Sequence, residues 1–227
     1  MLSFAMRAFS LFLLCTTVAC SGAPAVTIPG PVVDQPLAKS KASETAVLAG
    51  GCFWGIQAVF EHVKGVTRVT AGYSGGSAAG AHYETVSSGT TGHAESVSVV
   101  YDPSKVSYGQ LLKVYFSVAH DPTELNRQGP DVGTQYRSAI FYASDEQKRI
   151  AEAYINQLNK AKVYSDRIVT QVAALKGFYP AEHYHQDYAV HHPDDLYIRI
   201  NDLPKVDHLR EMLPDLFVSK QATFGTD

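Results

Sequence analysis

The segment Gly51-Cys52-Phe53-Trp54-Gly55 contains the only Trp of the chain and its only Cys beyond residue 20. A short buried strand is predicted over residues 45–49, and apolar residues recur at helical spacing after the segment. Cys52 is therefore expected where a strand gives way to a helix, with Gly50 and Gly51 allowing a sharp turn. The unpaired N–H groups and partial positive charge of a helix start favour a thiolate and lower the thiol pKa. These features predict that Cys52 is a nucleophile, and a buried structural cysteine is the alternative.

Glu95 is a second candidate for chemistry. Residues 93–101 form the clearest predicted strand, in which Glu95 shares a face with Val97, Val99 and Tyr101. Burial on an apolar face would raise the carboxyl pKa and keep a proton available near neutral pH, as a general acid requires. Alternation alone leaves open a solvated carboxylate at the end of the strand.

Histidines are concentrated near the C-terminus, at His183, His185, His191 and His192. Thiolate ligands are absent nearby, and the spacing matches no standard zinc pattern. The glycine-rich loop over residues 72–76 is not followed by the Gly-Lys-Ser/Thr of a phosphate-binding loop. We therefore predict neither a metal site nor a cofactor.

The segments around these residues alternate between the apolar periodicity of β-strands and that of α-helices. Strands are predicted at 45–49, 66–73, 93–101, 135–142 and 168–172, and helices after Cys52, around 111–116 and over 145–160 with Ser144 as a cap. The order strand, helix, two strands, helix, strand predicts an α+β fold, a two-layer sandwich with the ferredoxin-like βαββαβ plait.

Composition narrows the functional class. The 227 residues are 45% hydrophobic and 18% charged, which suits one globular domain with an N-terminal extension. The net charge of −3 leaves no basic surface for nucleic acid, which we do not expect as a partner.

The N-terminus is typical of an exported protein. Arg7 precedes an apolar run over residues 9–14 and then small residues, so residues 1–19 are predicted to be a signal peptide. The residues Thr17-Val18-Ala19-Cys20 resemble a bacterial lipobox, with Thr17 in place of the favoured leucine, so we expect Cys20 to be lipidated and to anchor the protein to a membrane. Residues 20–43 are rich in Pro, Gly, Ala and Ser and are predicted to be a flexible tether. The catalytic domain is expected over residues 44–215, followed by a tail over 216–227.

Several blocks of the sequence resemble the type A peptide methionine sulfoxide reductases. Besides Gly51-Cys52-Phe53-Trp54-Gly55, they occur in family order as Gly72-Tyr73-Ser74-Gly75-Gly76, His82-Tyr83-Glu84, Gly92-His93-Ala94-Glu95, the run from Asp131 to Arg137, and the run from Ala181 to Tyr188. Methionine sulfoxide reductases return oxidised methionine to methionine. The resemblance implies the same plait, with a long irregular C-terminal segment around the sheet.

The resemblance also implies roles for individual residues. Cys52 would attack the sulfoxide, and Glu95 would supply the proton. Tyr83 and Tyr136 match phenols that hydrogen-bond the sulfoxide oxygen, and Asp131 matches an acidic residue that orients the substrate. Phe53 and Trp54 would form the apolar wall for the methyl group, while His185, Tyr188 and, more loosely, Tyr197 would lie close by.

The chain differs from many members of this family in the number of its cysteines. Residues 201–227 lack the cysteine that would trap a sulfenic acid as a disulfide, so the oxidised Cys52 needs an external thiol of the thioredoxin type. A minority hypothesis makes an unacylated Cys20 the resolving thiol.

The sequence thus predicts a monomeric envelope enzyme that reduces methionine-S-sulfoxide, free or in proteins. A thioredoxin-like oxidoreductase would need a Cys-x-x-Cys that is missing. A noncatalytic envelope lipoprotein that retains the fold is the remaining alternative.

Overall fold

A computed structural model describes residues 25–225 of the chain. The strands in this part are β1 (Glu44–Ala49), β2 (Val66–Ser74), β3 (Ala94–Tyr101), β4 (Arg127–Gln128), β5 (Asp131–Val132), β6 (Ala139–Tyr142), β7 (Gln171–Ala174) and β8 (Phe178–Pro180). The α-helices are α1 (Phe53–Glu61), α2 (Tyr83–Val86), α3 (Tyr108–Val114), α4 (Asp145–Ala161), α5 (Tyr188–His191) and α6 (Leu203–Met212). Two π-helical turns adjoin them, Tyr115–Ala119 after α3 and Ile198–Asp202 before α6.

Six of these strands form one mixed sheet in the order β7-β6-β1-β3-β2-β8. The four middle strands pair antiparallel throughout, β8 adds antiparallel to β2, and β7 adds parallel to β6. Strands β4 and β5 form a separate two-stranded ribbon. The fold is therefore a mixed α/β fold, as the order of predicted elements indicates.

One face of the sheet carries most of the core. Residues of α1, α3 and α4 pack in a single buried cluster with β1 and β3, including Leu48, Val97 and Val99. The opposite face has a smaller cluster of Val47, Ala49, Ala94, Ala139 and Phe141. Because side chains alternate along a strand, the large cluster fixes which residues of β1 and β3 face the helices.

Two predicted strands differ from the observed ones. The strand expected over 135–142 is confined to Ala139–Tyr142, because residues Thr134–Tyr136 form a 3-10 turn. Arg137 stabilises this turn, since its guanidinium donates to the carbonyls of Thr134, Gly92 and His93. The strand expected over 168–172 begins only at Gln171. The predicted cap of α4 is confirmed, because the Ser144 hydroxyl accepts from the Gln147 N–H.

Residues 25–43, the described part of the predicted tether, make contacts with the domain. Ile28 is buried, and the carbonyl of Pro29 accepts the Tyr154 hydroxyl at 2.7 Å. The Asp34 carboxylate accepts the Ser107 hydroxyl and the Gly109 N–H at the start of α3. Polar groups of this segment therefore have hydrogen-bond partners at the start of α3 and on α4.

The C-terminal residues also contact the domain. Phe217 bridges to Val63 and stacks on His62, with ring centroids 5.4 Å apart. The N–H of Ala222 donates to the carbonyl of Glu61 at 2.8 Å. These contacts cover the C-terminal end of α1.

The predicted signal peptide and Cys20 lie outside the described residues. Within residues 25–225, no helix combines the length and apolar character that crossing a bilayer requires.

Candidate active site

Cys52 occupies the N-cap of α1, directly after β1 and two glycines. Gly51 adopts a φ of 95°, a conformation that L side chains rarely take. A β-carbon at Gly50 would lie 2.7 Å from the buried ring of His120. The predicted turn from strand to helix is confirmed, and it holds the sulfur at the start of the helix.

A cavity of about 130 Å³ opens at this turn. Its walls contain eight of the ten predicted catalytic and substrate-binding residues, which are Cys52, Phe53, Trp54, Tyr83, Glu95, Asp131, Tyr136 and Tyr197. They come from β3, α1, α2, β5, the 3-10 turn after β5 and the segment before α6. Residues up to 145 positions apart in the chain are thus gathered around one sulfur.

Glu95 is 3% exposed, which excludes the alternative of a solvated carboxylate. Its Oε2 accepts the N–H of Phe53 at 3.1 Å. Burial raises the pKa of Glu95 to about 8, although the Phe53 N–H acts in the opposite direction. Glu95 is therefore protonated at neutral pH and can donate a proton into the cavity.

The Cys52 thiol is buried, and its pKa differs in direction from the expectation. Burial raises the pKa above its usual value, and the charges of Glu95, Asp202 and Asp131 raise it further. The Trp54 N–H lowers it, as expected at a helix start, but the effect is smaller. The predicted lowering was wrong, because desolvation of the buried thiol outweighs the effect of the helix terminus.

Three tyrosines bring hydroxyl groups to the cavity. Burial raises the pKa values of Tyr83, Tyr136 and Tyr197, so all three stay protonated and can act as donors. The Tyr197 hydroxyl donates to Asp131 Oδ2 at 2.5 Å, which fixes that carboxylate at the cavity wall. The backbone of Tyr83 is held by Glu182, whose Oε1 accepts its N–H at 3.0 Å.

His185 and Tyr188 lie behind Trp54 and do not line the cavity. The Trp54 indole stacks on Tyr188 with centroids 3.8 Å apart and an interplanar angle of 8°. Its Nε1–H donates to His185 Nδ1 at 3.2 Å. Of the residues expected near the substrate, these two therefore orient the indole wall instead of facing the cavity.

Sequence reasoning missed a buried ion pair next to the site. Lys205 Nζ lies 3.1 Å from Asp202 Oδ1, and both side chains are almost fully buried. Their spacing of three residues is ordinary for a surface helix pair, so the pattern carried no signal of burial.

No group of three or more His, Cys, Asp or Glu side chains within residues 25–225 is arranged to hold a metal ion. In the histidine-rich stretch, residues His183–His185 form a 3-10 turn, and the ring of His185 packs against Trp54.

Comparisons with known proteins all indicate the same family. The sequence model of the family described as peptide methionine sulfoxide reductase matches residues 44–215. A peptide methionine sulfoxide reductase MsrA 2 of Mesorhizobium japonicum is 61% identical over 178 residues, covering 78% of this chain and 91% of the relative. One from Synechocystis is 53% identical over 190 residues, covering 83% and 89%.

Solved structures agree with the sequences. Methionine sulfoxide reductase A of Corynebacterium diphtheriae superposes with a TM-score of 0.58 at 35% identity, over 76% of this chain and 87% of that one. The reduced form of Mxr1 from Saccharomyces cerevisiae gives 0.60 at 31% identity, over 69% and 92%. The chain therefore belongs to the peptide methionine sulfoxide reductase family, and it is an oxidoreductase with peptide-methionine (S)-S-oxide reductase activity.

Proposed function

We propose that Cys52 and Glu95 reduce methionine sulfoxide together, as nucleophile and acid. The observation that carries this proposal is their shared cavity, in which a buried thiol and a protonated carboxyl face the same space. Glu95 gives its proton to the sulfoxide oxygen, which makes the substrate sulfur electrophilic. The hydroxyls of Tyr83 and Tyr136 donate to the same oxygen.

The resting thiol is protonated, so the nucleophile forms only with substrate bound. Positive charge develops on the substrate as its oxygen takes a proton, and an opposite charge nearby favours the thiolate. This coupling offsets the burial that raises the pKa of Cys52. The site would thus keep its thiol unreactive towards other electrophiles until a sulfoxide enters.

The step transfers one oxygen atom. The substrate S–O bond breaks and an S–O bond forms on Cys52, so methionine sulfoxide and thiol give methionine and Cys52 sulfenic acid. The substrate sulfur gains two electrons and Cys52 loses two. The cavity suits the sulfoxide and methyl group instead of a whole amino acid, which fits a substrate either free or within a polypeptide.

Turnover then needs an external dithiol of the thioredoxin class. Its first thiol condenses with the sulfenic acid, releasing water and forming a mixed disulfide, and its second thiol releases Cys52 and leaves the reductant as a disulfide. This proposal follows from the chain's cysteines, since Cys52 is the single cysteine beyond residue 20.

Single-turnover chemistry tests the mechanism. The Cys20→Ser variant, mixed with excess methionine sulfoxide and no reductant, should release about one methionine per chain and leave a dimedone adduct on Cys52. Two equivalents of methionine, or an internal disulfide, would contradict a single-cysteine mechanism.

We also propose that the protein is exported and anchored through a lipid on Cys20, where it repairs oxidised envelope proteins as a monomer. The support is the charged, apolar and small-residue order of residues 1–20. Wild-type protein should fractionate with membranes, and Cys20→Ala should release it to the soluble periplasm. Soluble wild-type protein would refute the anchor without affecting the enzymology.

For the fold, we infer that β1, α1, β2, β3, α3 and β6 form a ferredoxin-like two-layer plait. The strand order β6-β1-β3-β2 and the antiparallel pairing of these strands support this inference.

A further inference from the structure

We propose that the buried ion pair of Asp202 and Lys205 is a positioning pair for the reaction, in which Lys205 supplies the positive charge that offsets the carboxylates around Cys52. The proposal deepens the proposed function, since it rests on Cys52 as the nucleophile. It assigns a task to the C-terminal segment, which contains no cysteine in this chain.

The pair lies against the first turn of the catalytic helix. Asp202 is 0% exposed and Lys205 is 5% exposed. A β-carbon at Gly55 would overlap the Asp202 carboxylate and would lie 2.7 Å from Lys205 Nζ. Gly55 follows Cys52 by three residues, so the second glycine of the Gly-Cys-Phe-Trp-Gly segment is explained by the space that the pair needs.

The contact between Asp202 and Lys205 leaves one buried carboxylate oxygen of the pair without a hydrogen-bond partner among the described residues. Oδ1 of Asp202 accepts from Lys205, whereas the buried Oδ2 has no hydrogen-bond partner among the described residues. A lone buried ion pair contributes little to stability, since its attraction roughly balances the cost of desolvation. Its position beside the first turn of the helix that follows Cys52 therefore favours an electrostatic role over a purely structural one.

Three carboxyls surround Cys52, but only one cation accompanies them in the described contacts. Glu95, Asp131 and Asp202 each disfavour the thiolate. Lys205 acts on Asp131 and on Asp202, and in both it lowers a pKa that burial raises. Asp195 also faces Asp202, with a charge of the same sign as Asp131.

His120 does not act as a second cation. Burial lowers its pKa to about 3, and the charge of Lys205 also acts in that direction. The Tyr197 hydroxyl, which donates to Asp131, is neutral. When Glu95 is protonated, the charge of Lys205 acts on the carboxylates of Asp131 and Asp202. Removing the Lys205 charge therefore leaves both negative charges without the cation that offsets them.

Opposite substitutions should therefore move the reactivity of Cys52 in opposite directions. Lys205→Met removes the cation and makes the thiolate harder to form. Asp202→Asn removes an anion and makes the thiolate easier to form. A purely structural pair would behave otherwise, because either substitution would loosen the same packing and expose the thiol.

Alkylation measures this directly, since iodoacetamide reacts with thiolate and not with thiol. We would follow the Cys52 peptide of the full-length protein by mass spectrometry between pH 7 and pH 10. At a given pH, Lys205→Met should react about tenfold more slowly than wild type, equivalent to a shift of about one pH unit. Asp202→Asn should react several-fold faster.

A matched control exists in the same helix. Arg210 Nη2 contacts Asp207 Oδ1 at 2.7 Å with the same spacing, but both side chains are more than half exposed. Asp207→Asn and Arg210→Met should leave the alkylation profile unchanged. Equal shifts in these exposed variants would overturn the proposal.

Acceleration in both buried variants, or no change in either, would also overturn it. Should Lys205→Met alone not fold, the double variant leaves no unpaired buried charge, and it must still react more slowly than Asp202→Asn because it lacks the cation that acts on Asp131. A profile superimposable on that of Asp202→Asn would make the pair structural only. Alkylation reports thiol ionisation whether or not Cys52 reduces sulfoxides, so failure here is distinct from failure of the proposed function.

Discussion

A buried carboxyl lies at each end of α1, and the one at the N-terminal end lines the cavity that contains Cys52. At the N-terminal end, Glu95 lies beside Cys52 and accepts the Phe53 N–H. At the C-terminal end, Glu61 is 1% exposed and faces Asp187. Burial raises the pKa of Glu95 to about 8, and burial together with Asp187 raises that of Glu61 to about 9.

The difference shows that a raised pKa alone does not identify a catalytic acid. Asp187 next to Glu61 is occupied by structural contacts, since its Oδ1 accepts from Gln57 Nε2 and from the N–H of Phe224. The backbone of Glu61 is bound to the C-terminal segment through Ala222. Proton transfer requires reach to a substrate as well as a suitable pKa, and the cavity gives Glu95 that reach.

The helix itself distinguishes the two ends. The Phe53 N–H at its start donates to Glu95 and favours the carboxylate, whereas the carbonyls at its C-terminal end oppose a charge on Glu61. Glu95 can therefore lose and regain a proton near neutral pH, while Glu61 holds its proton over a wider range. This contrast leads to three predictions.

The largest expected effect is at the N-cap of α1. Cys52→Ser should abolish methionine sulfoxide reduction, because a hydroxyl at its ordinary pKa does not replace a thiolate. Methionine release from a chiral sulfoxide with a thiol reductant measures this, and Cys20→Ser is the matched control that should keep full activity. Activity of Cys52→Ser above background would remove Cys52 from the mechanism.

The second prediction compares the two carboxyls. Glu95→Gln should lower kcat by roughly 10²–10⁴-fold, the usual scale for loss of a general acid. Glu61→Gln is the matched control, since it makes the same change in a carboxyl at the other end of the helix, and kcat should stay within about threefold of wild type. Similar losses in both variants would mean that the substitutions act through folding.

The sequence was sufficient for the parts of the site that depend on local pattern. The glycine turn placed Cys52 at a helix start, and alternation along β3 put Glu95 on the side of Val97 and Val99 but left its burial open until the structure showed it. The direction of the Cys52 pKa was not predictable in this way, because desolvation depends on everything that packs around the sulfur.

Contacts between segments far apart in the chain were also not predictable from the sequence. The pairing of Glu61 with Asp187 joins α1 to the segment before α5, and the burial of Asp202 depends on the approach of α6 to Gly55. The start of β6 was misplaced because Arg137 holds a turn through carbonyls of residues 92 and 93. Each case involves a partner more than forty positions away, which no local window includes.

The smallest effect concerns stability at the C-terminal end of α1. The folded state keeps a proton on Glu61 up to about pH 9, whereas the ordinary pKa of 4.5 applies when the chain unfolds. Unfolding between these values releases that proton, so the stabilisation is complete below about pH 4.5 and is lost as the pH rises towards 9. One such group lowers the free energy of unfolding by up to about 1.4 kcal/mol per pH unit in this window.

Glu61→Gln stays neutral at every pH, so its free energy of unfolding should fall less between pH 6 and pH 8.5 than that of wild type. Urea denaturation at the two values measures the difference, and Glu152→Gln, a change on the exposed face of α4, should keep the wild-type dependence. An unchanged slope in Glu61→Gln would show that Glu61 is ionised in the folded protein. The two carboxyls at the ends of α1 would then differ in charge as well as in reach to a substrate, and the similarity of their pKa shifts, from which the comparison starts, would be wrong.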